Sequence, residues 1–133
     1  MTSFLQKCEA EAGFYWKTEI KGGKAGIRIA VRKKGFINPD SAGTKDEVGY
    51  IHVVPTEGKW YSVLNVEIAD QFRNKGLGKD LYRRAAIEIG KQGGHGVVSL
   101  AGERTPEATH LWKSLKEAKK DKGGTWILQS PQS

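Results

Sequence analysis

Between residues 60 and 91 the apolar residues change their spacing from every second position to every third or fourth, and few folds accommodate that change. Trp60 to Ala69 reads as a strand. Leu77, Leu81, Ala85 and Ile89 then fall at i, i+4 steps and form one helical stripe, with Asp80, Arg83, Arg84 and Glu88 away from it. Ile87 fits neither set. Gly93-Gly94 ends the helix, as glycine does past a helix C-terminus. The short apolar run Val97 to Ala101 follows as a buried strand. Strand 60–69, helix 76–91 and strand 97–101 have the lengths of a right-handed βαβ unit, which predicts that the two strands are parallel neighbours.

Upstream the period is 2. Phe14, Trp16, Thr18 and Ile20 alternate with Tyr15, Lys17 and Glu19, and Ile27, Ile29 and Val31 alternate with Arg28, Ala30 and Arg32. With Lys21-Gly22-Gly23-Lys24 between them, these runs read as a β-hairpin. Gly35 to Lys45 has loop chemistry, Val48 to Val54 is a third strand, and Pro55 to Lys59 is a turn into strand 60–69. Residues 2–12 read as a lead-in, helix or strand. Downstream, Thr105-Pro106 suits a helix start. Ala108, Leu111, Trp112, Leu115 and Ala118 continue from it as an apolar stripe, and Thr125 to Leu128 is a last strand. The order predicts an α+β fold with a mixed β-sheet: antiparallel N-terminal strands, then the βαβ unit. Residues 1–133 suffice for one domain and are too few for a second core.

Composition narrows the chemistry. Cys8 is the only cysteine, which excludes an intramolecular disulfide and thiolate zinc clusters. His52, His95 and His110 show no metal-ligand spacing, so no metal is expected. There is no apolar h-region at the N-terminus and no run approaching membrane-spanning length, so no membrane partner and a reducing, cytoplasmic setting are expected. The net charge of +7 implies attraction to anions: a phosphate-bearing cofactor, nucleic acid or an acidic partner. Part of it lies in Lys113 to Lys122, where five lysines face Glu117 and Asp121.

The chemistry concentrates where the period changes. In Val66-Glu67-Ile68-Ala69-Asp70-Gln71-Phe72-Arg73-Asn74-Lys75-Gly76-Leu77-Gly78 a strand enters a tight loop and the loop opens a helix. Such a loop aims unpaired backbone N–H groups at one point, and the helix dipole adds about half a positive charge there. Gly76 and Gly78 remove side chains that would hold an anion off the backbone, while Arg73, Lys75 and Lys79 add full charges. The ensemble reads as a pyrophosphate cradle. Glycine is abundant, 17 of 133 residues, so the pair alone also fits a cap or tight turn, and the strand–loop–helix context is what favours the cradle.

Phe72-Arg73-Asn74-Lys75-Gly76-Leu77-Gly78 resembles the acyl-coenzyme A motif of the GNAT superfamily of N-acyltransferases: aromatic, Arg or Gln, two variable residues, Gly, any residue, Gly or Ala. Ala108-Thr109-His110-Leu111-Trp112-Lys113-Ser114-Leu115 resembles that family's later helix, which often reads Ala-x-x-Leu-Tyr-x-x-x-Gly-Phe. The resemblance covers residues 47–128. It implies a GNAT-like mixed sheet with helices on both faces, acetyl-coenzyme A as cosubstrate, and transfer of the acetyl group to an amine acceptor. Amides of Arg73, Asn74, Lys75, Gly76, Leu77 and Gly78, with Lys79, would hold the pyrophosphate. Backbone at Val66 and Ile68 would pair with the pantetheine arm, admitted by a splay between the two parallel strands. Trp112 stands where the family often has a tyrosine proposed as general acid; lying on the apolar stripe it reads as core, with a rim that could touch a thioester. Lys116-Glu117 replaces the usual Gly-Phe, and the family's early helices have no room between Ile20 and Ala25. The chain would be an abbreviated member.

Acylating an amine requires removal of a proton. Simple alternation puts Ser62, Leu64, Val66 and Ile68 on one face of the strand, and Tyr61, Val63, Asn65 and Glu67 on the other. Glu67, close to the cofactor loop, is the leading candidate for the base; the alternative is a carboxylate paired with Lys or Arg at a wet edge. Glu103 could reach the same cleft or serve as a loop residue. His110 lies off its helix stripe and reads as solvated; His52 reads as structural and Tyr82 as core. Phe14, Tyr15 and Trp16 near Arg28 and Arg32 suggest a base-stacking sheet, but consecutive strand residues point to both faces and no nucleic-acid motif is present. Two readings follow: an acyltransferase, or a small basic module binding nucleic acid or protein without catalysis, with a coenzyme A-binding fold lacking turnover between them.

Overall fold

In the computed structural model the described residues are 13–37, 46–73, 76–99 and 106–131. The readings of residues 2–12, Asn74, Lys75, Glu103 and Thr105 fall outside them. The hairpin forms as its alternation predicts. Strand β1 (Phe14–Ile20) pairs antiparallel with β2 (Ile27–Lys33), and β2 with β3 (Glu47–Pro55). β3 pairs antiparallel with β4 (Trp60–Ile68), which leads through a 3-10 turn (Asp70–Phe72) into helix α1 (Leu77–Lys91). β5 (Gly96–Ser99), helix α2 (Pro106–Ser114), a two-residue strand β6 (Lys119–Lys120) and β7 (Trp126–Gln129) complete a seven-stranded sheet in the order β1-β2-β3-β4-β5-β7-β6. β4 and β5 are parallel neighbours and every other pairing is antiparallel, so the sheet is mixed as expected.

The helix stripe Leu77, Leu81, Ala85, Ile89 is fully buried against Ile27, Ile29, Val31, Ile51 and Val53 of the sheet. α2 feeds the same core through Trp112, followed by Leu115, so among the described residues both helices serve one apolar layer. Asp80 and Glu88, placed off the stripe by the sequence, are nonetheless buried, Asp80 beside Arg83 and Glu88 between Arg84 and Lys91. The stripe that starts α2 outruns the helix, which ends at Ser114, where the Ser114 hydroxyl bonds the Leu111 carbonyl. Lys116-Glu117 then has a clear partner: Arg83 of α1 grips Glu117 with two hydrogen bonds of 2.7 and 3.2 Å. That pair is about half exposed, so it positions the segment more than it stabilises the fold.

Tyr82 lies in the core at 1% exposure, edge-on to the Trp112 indole, and burial pushes its phenol up to about 12. The unfolded phenol ionises near 10, so between about pH 10 and 12 the unfolded chain holds fewer protons than the native one. Stability is therefore complete below pH 10 and declines by about 2–3 kcal/mol as pH rises through that window. Urea titrations at alkaline pH should show this decline in the parent and a flatter profile in Tyr82→Phe.

Candidate active site

The site is made by two irregularities in β4. The first is a bulge. Asn65 faces His52 and Val63 faces Val53, so Leu64 is an extra residue with no partner on β3. It is 62% exposed. The bulge overturns the simple alternation: Tyr61, Val63, Val66 and Ile68 all pack against the core, and the shared face proposed for Ser62, Leu64, Val66 and Ile68 does not exist. An inserted residue shifts the two-residue period by one, which no count along the sequence can detect. Asn65 and Glu67 keep their common face.

The second irregularity is a splay. β5 runs beside β4 only where Trp60, Tyr61 and Ser62 meet Gly96, Val97 and Val98. Beyond that the described part of β5 pairs only with β7, Ser99 opposite Trp126. Among the described residues nothing pairs with the β5 side of β4 from Val63 to Ile68. Val66 and Ile68 give their side chains to the core, so their backbone is what they offer a ligand.

In chain order β4 is followed by the 3-10 turn and then by α1. Gly76 is the N-cap, in left-handed conformation at φ 91°, and no described side chain caps the helix. A Cβ at Gly76 would meet nothing within 4 Å among the described residues. Lys79 is partly exposed beside it. The Arg73 amide already bonds the Asp70 carbonyl, and its guanidinium bonds the Ile68 carbonyl at 3.0 Å and sits 3.3 Å from Asp70. Among the described residues after Arg73, the candidate amides are those at the start of the helix. Gly78 has another role: a Cβ there would lie 2.7 Å from Leu111 Cδ1, so this glycine lets α1 and α2 approach closely. Leu77 is buried in the core.

Glu67 is exposed on the sheet face opposite the core and forms no ion pair with a described residue. Its cross-strand partner is Tyr50, a residue that sequence reasoning missed. The Tyr50 hydroxyl accepts a 2.9 Å hydrogen bond from Asn65 Nδ2, and the Arg28 guanidinium lies 4.0 Å over its ring. Partial burial first, and the Glu67 charge second, hold the Tyr50 phenol above its usual range. Only the register of β3 against β4 brings Tyr50, Asn65 and Glu67 together; no spacing in the sequence signals it.

The remaining candidates separate. Trp112 is fully buried between Tyr82 and Trp126, presents no surface to a ligand, and its Nε1 has no hydrogen-bond partner. His110 is exposed. His52 bonds the Ala25 carbonyl, a structural role as expected. Phe14 and Trp16 turn to the core side and Tyr15 to the other, while Arg28 and Arg32 are paired with Glu47 and Asp46, so no basic aromatic platform forms. Two shallow concavities meet at Gly93-Gly94, near the Trp60 end of β4, and neither is lined by Glu67 or the loop.

The element order and the mixed sheet, with β4 and β5 parallel, have counterparts among known structures. The chain has a GNAT-like fold. The ribosomal-protein-S18-alanine N-acetyltransferase of Escherichia coli superposes with a TM-score of 0.51 at 15% identity, over 84% of this chain and 74% of that one. A GNAT family acetyltransferase from Brucella melitensis, in complex with acetyl-CoA, superposes at 0.53 and 13% identity over 98% of this chain and 68% of that one. No family model matches the sequence, and no curated protein does. The GNAT-like fold is thus carried by backbone geometry at a level of identity where side chains have diverged.

Proposed function

We propose that the chain is an N-acetyltransferase that moves an acetyl group from acetyl-coenzyme A to an amine. The observation that carries this reading is the parallel pair β4–β5, whose described pairing ends at Ser62 and Val98, with β4 leading on to a helix that starts at Gly76. The backbone from Val63 to Ile68 would pair with the pantetheine arm. The pyrophosphate would sit over the first-turn amides, beside Lys79, Arg73, Asn74 and Lys75. The resemblance of residues 72–78 to the acyl-coenzyme A motif and the acetyl-CoA complex of the Brucella melitensis structure support the same reading.

The amine nitrogen attacks the thioester carbonyl, a C–N bond forms, and the C–S bond breaks. Glu67, directly or through a water, takes the amine proton. Trp112 offers no phenol, so the thiolate takes its proton from water; a thiol pKa of about 8.5 makes it a tolerable leaving group unprotonated. Calorimetric titration with acetyl-coenzyme A and a thiol-release assay across an amine panel test the two halves. Absence of binding removes the reading. Binding without release against any amine favours a coenzyme A-binding module without turnover, a reading that the burial of Trp112 supports.

Two substitutions test the cradle. Arg73→Ala is expected to weaken acetyl-coenzyme A binding by about 1–2 kcal/mol, the scale of one charge-assisted contact. Gly76→Val is expected to weaken it far more, by filling the clear space. It also strains a left-handed backbone position. Thermal melts run beside the titrations separate the two effects: a folded variant with parent-like affinity would move the cradle elsewhere.

A further inference from the structure

At the end of β4 the backbone groups of Glu67 and Ala69 face β3. The Ala69 N–H donates to the Val48 carbonyl, and the Glu67 carbonyl lies against Gly49, 2.9 Å from where a Cβ would stand. Neighbouring residues of a strand point their backbone groups to opposite sides, so the Ile68 carbonyl points away from β3, to the side on which β5 pairs with β4 further back. That carbonyl is engaged by the chain itself. The 3-10 turn closes with the Arg73 N–H on the Asp70 carbonyl, and the Arg73 side chain folds back over the end of β4. Its Nε donates to the Ile68 carbonyl at 3.0 Å and stands 3.3 Å from the Asp70 carboxylate. The two side chains are 62% and 80% exposed, so solvent and ions reach the contact and it exchanges readily. The Arg73 backbone is tied into the turn, and only its side chain has to move.

We propose that Asp70 is a positioning residue that holds Arg73 on the Ile68 carbonyl as a latch, and that a pyrophosphate releases it. The latch belongs to the acetyl-coenzyme A site proposed above and rests on that reading. A pyrophosphate offers the guanidinium more negative charge than one carboxylate, and a two-point fit. Arg73 exchanges Asp70 for it, and the Ile68 carbonyl is left free for an amide N–H of the pantetheine arm. The two halves of the cofactor therefore assist each other, because the anion clears the acceptor that the arm needs. A pantetheine thioester without the anion meets an occupied carbonyl. Asp70 sets how much of the anion's attraction goes into release, so its carboxylate lowers affinity for the whole cofactor through Arg73.

Fragments of the cofactor separate a latch from a scaffold. NMR titration of the parent with S-acetylpantetheine should show binding that inorganic pyrophosphate tightens about three- to fivefold, the scale of one exposed ion pair with a hydrogen bond. In Arg73→Ala, S-acetylpantetheine should bind as tightly without pyrophosphate as the parent binds it with pyrophosphate, and added pyrophosphate should change nothing. The same variant should bind acetyl-coenzyme A more weakly than the parent, so the two ligands move in opposite directions. A purely structural role for Arg73 would weaken both together. Asp70→Asn should tighten acetyl-coenzyme A about threefold, and the gain should vanish in the Arg73→Ala background. Both side chains are exposed, so these variants should melt as the parent does. Acetyl-coenzyme A binding with no effect of pyrophosphate on S-acetylpantetheine overturns the latch alone. So does an Asp70→Asn gain that survives Arg73→Ala, which assigns the effect to the carboxylate's own repulsion of the anion. A parent that does not bind acetyl-coenzyme A overturns the acetyltransferase reading and the latch with it.

Discussion

Glu67→Gln is expected to lower turnover in amine acetylation by about 100-fold or more while leaving acetyl-coenzyme A affinity unchanged. An alkyl ammonium has a pKa near 10, so at neutral pH roughly one acceptor in a thousand carries the lone pair that attacks. A carboxylate beside the nitrogen removes the proton as the C–N bond forms. Gln keeps the shape and hydrogen-bonding capacity of Glu67 and removes its ability to hold the proton. The substitution should be nearly neutral for stability, because Glu67 is exposed and makes no ion pair with a described residue. Separate measurements of kcat/KM for the amine and of acetyl-coenzyme A binding read the two effects apart. Tyr50→Phe is the companion variant: it deletes the hydroxyl held by Asn65 opposite Glu67, and a smaller loss is expected from it. Full activity in Glu67→Gln from about pH 6 to 9 would take Glu67 out of the mechanism.

The second large effect concerns the core. Trp112→Ala should destabilise the domain by about 3–5 kcal/mol, through lost burial and the cavity left behind. The corresponding fall in melting temperature is about 10–20 °C. Trp112 has no exposed surface; its ring meets Tyr82 edge-on at 5.2 Å and lies nearly parallel to Trp126 at 6.4 Å. α1 and β7 both lose their ring contact with α2 when it is removed. Trp112→Phe should cost much less, because the indole Nε1 has no hydrogen-bond partner to lose and the aromatic edge is retained. The same variant separates packing from ligand contact. Unchanged acetyl-coenzyme A affinity in Trp112→Phe assigns Trp112 to the core; a selective loss of affinity without loss of stability restores the contact that the family resemblance implies.

Periodicity along the chain sufficed for the hairpin, the strand before the loop, the stripe Leu77-Leu81-Ala85-Ile89 and the parallel pairing of β4 with β5. These follow from local rules: a period of 2 or 3.6 declares which residues share a face, and a βαβ connection of that length can close in one way. The helix start after Gly76 was equally legible, because the glycine and the first residue of the apolar stripe are adjacent in sequence. What only the tertiary structure decided depends on contacts between distant segments. The bulge at Leu64 exists only as a mismatch of β4 against β3, and it alone reversed the facing of Tyr61 and Val63. Gly78 also leaves room for Leu111, thirty-three positions away and invisible until α2 packed on α1. Tyr50 joined Glu67 through register, and Asp80 and Glu88 were buried by neighbours whose cations could partner them. Local sequence sets the period of each element, but the free energy that chooses a partner, a bulge or a close approach is summed over side chains that only the folded chain brings together.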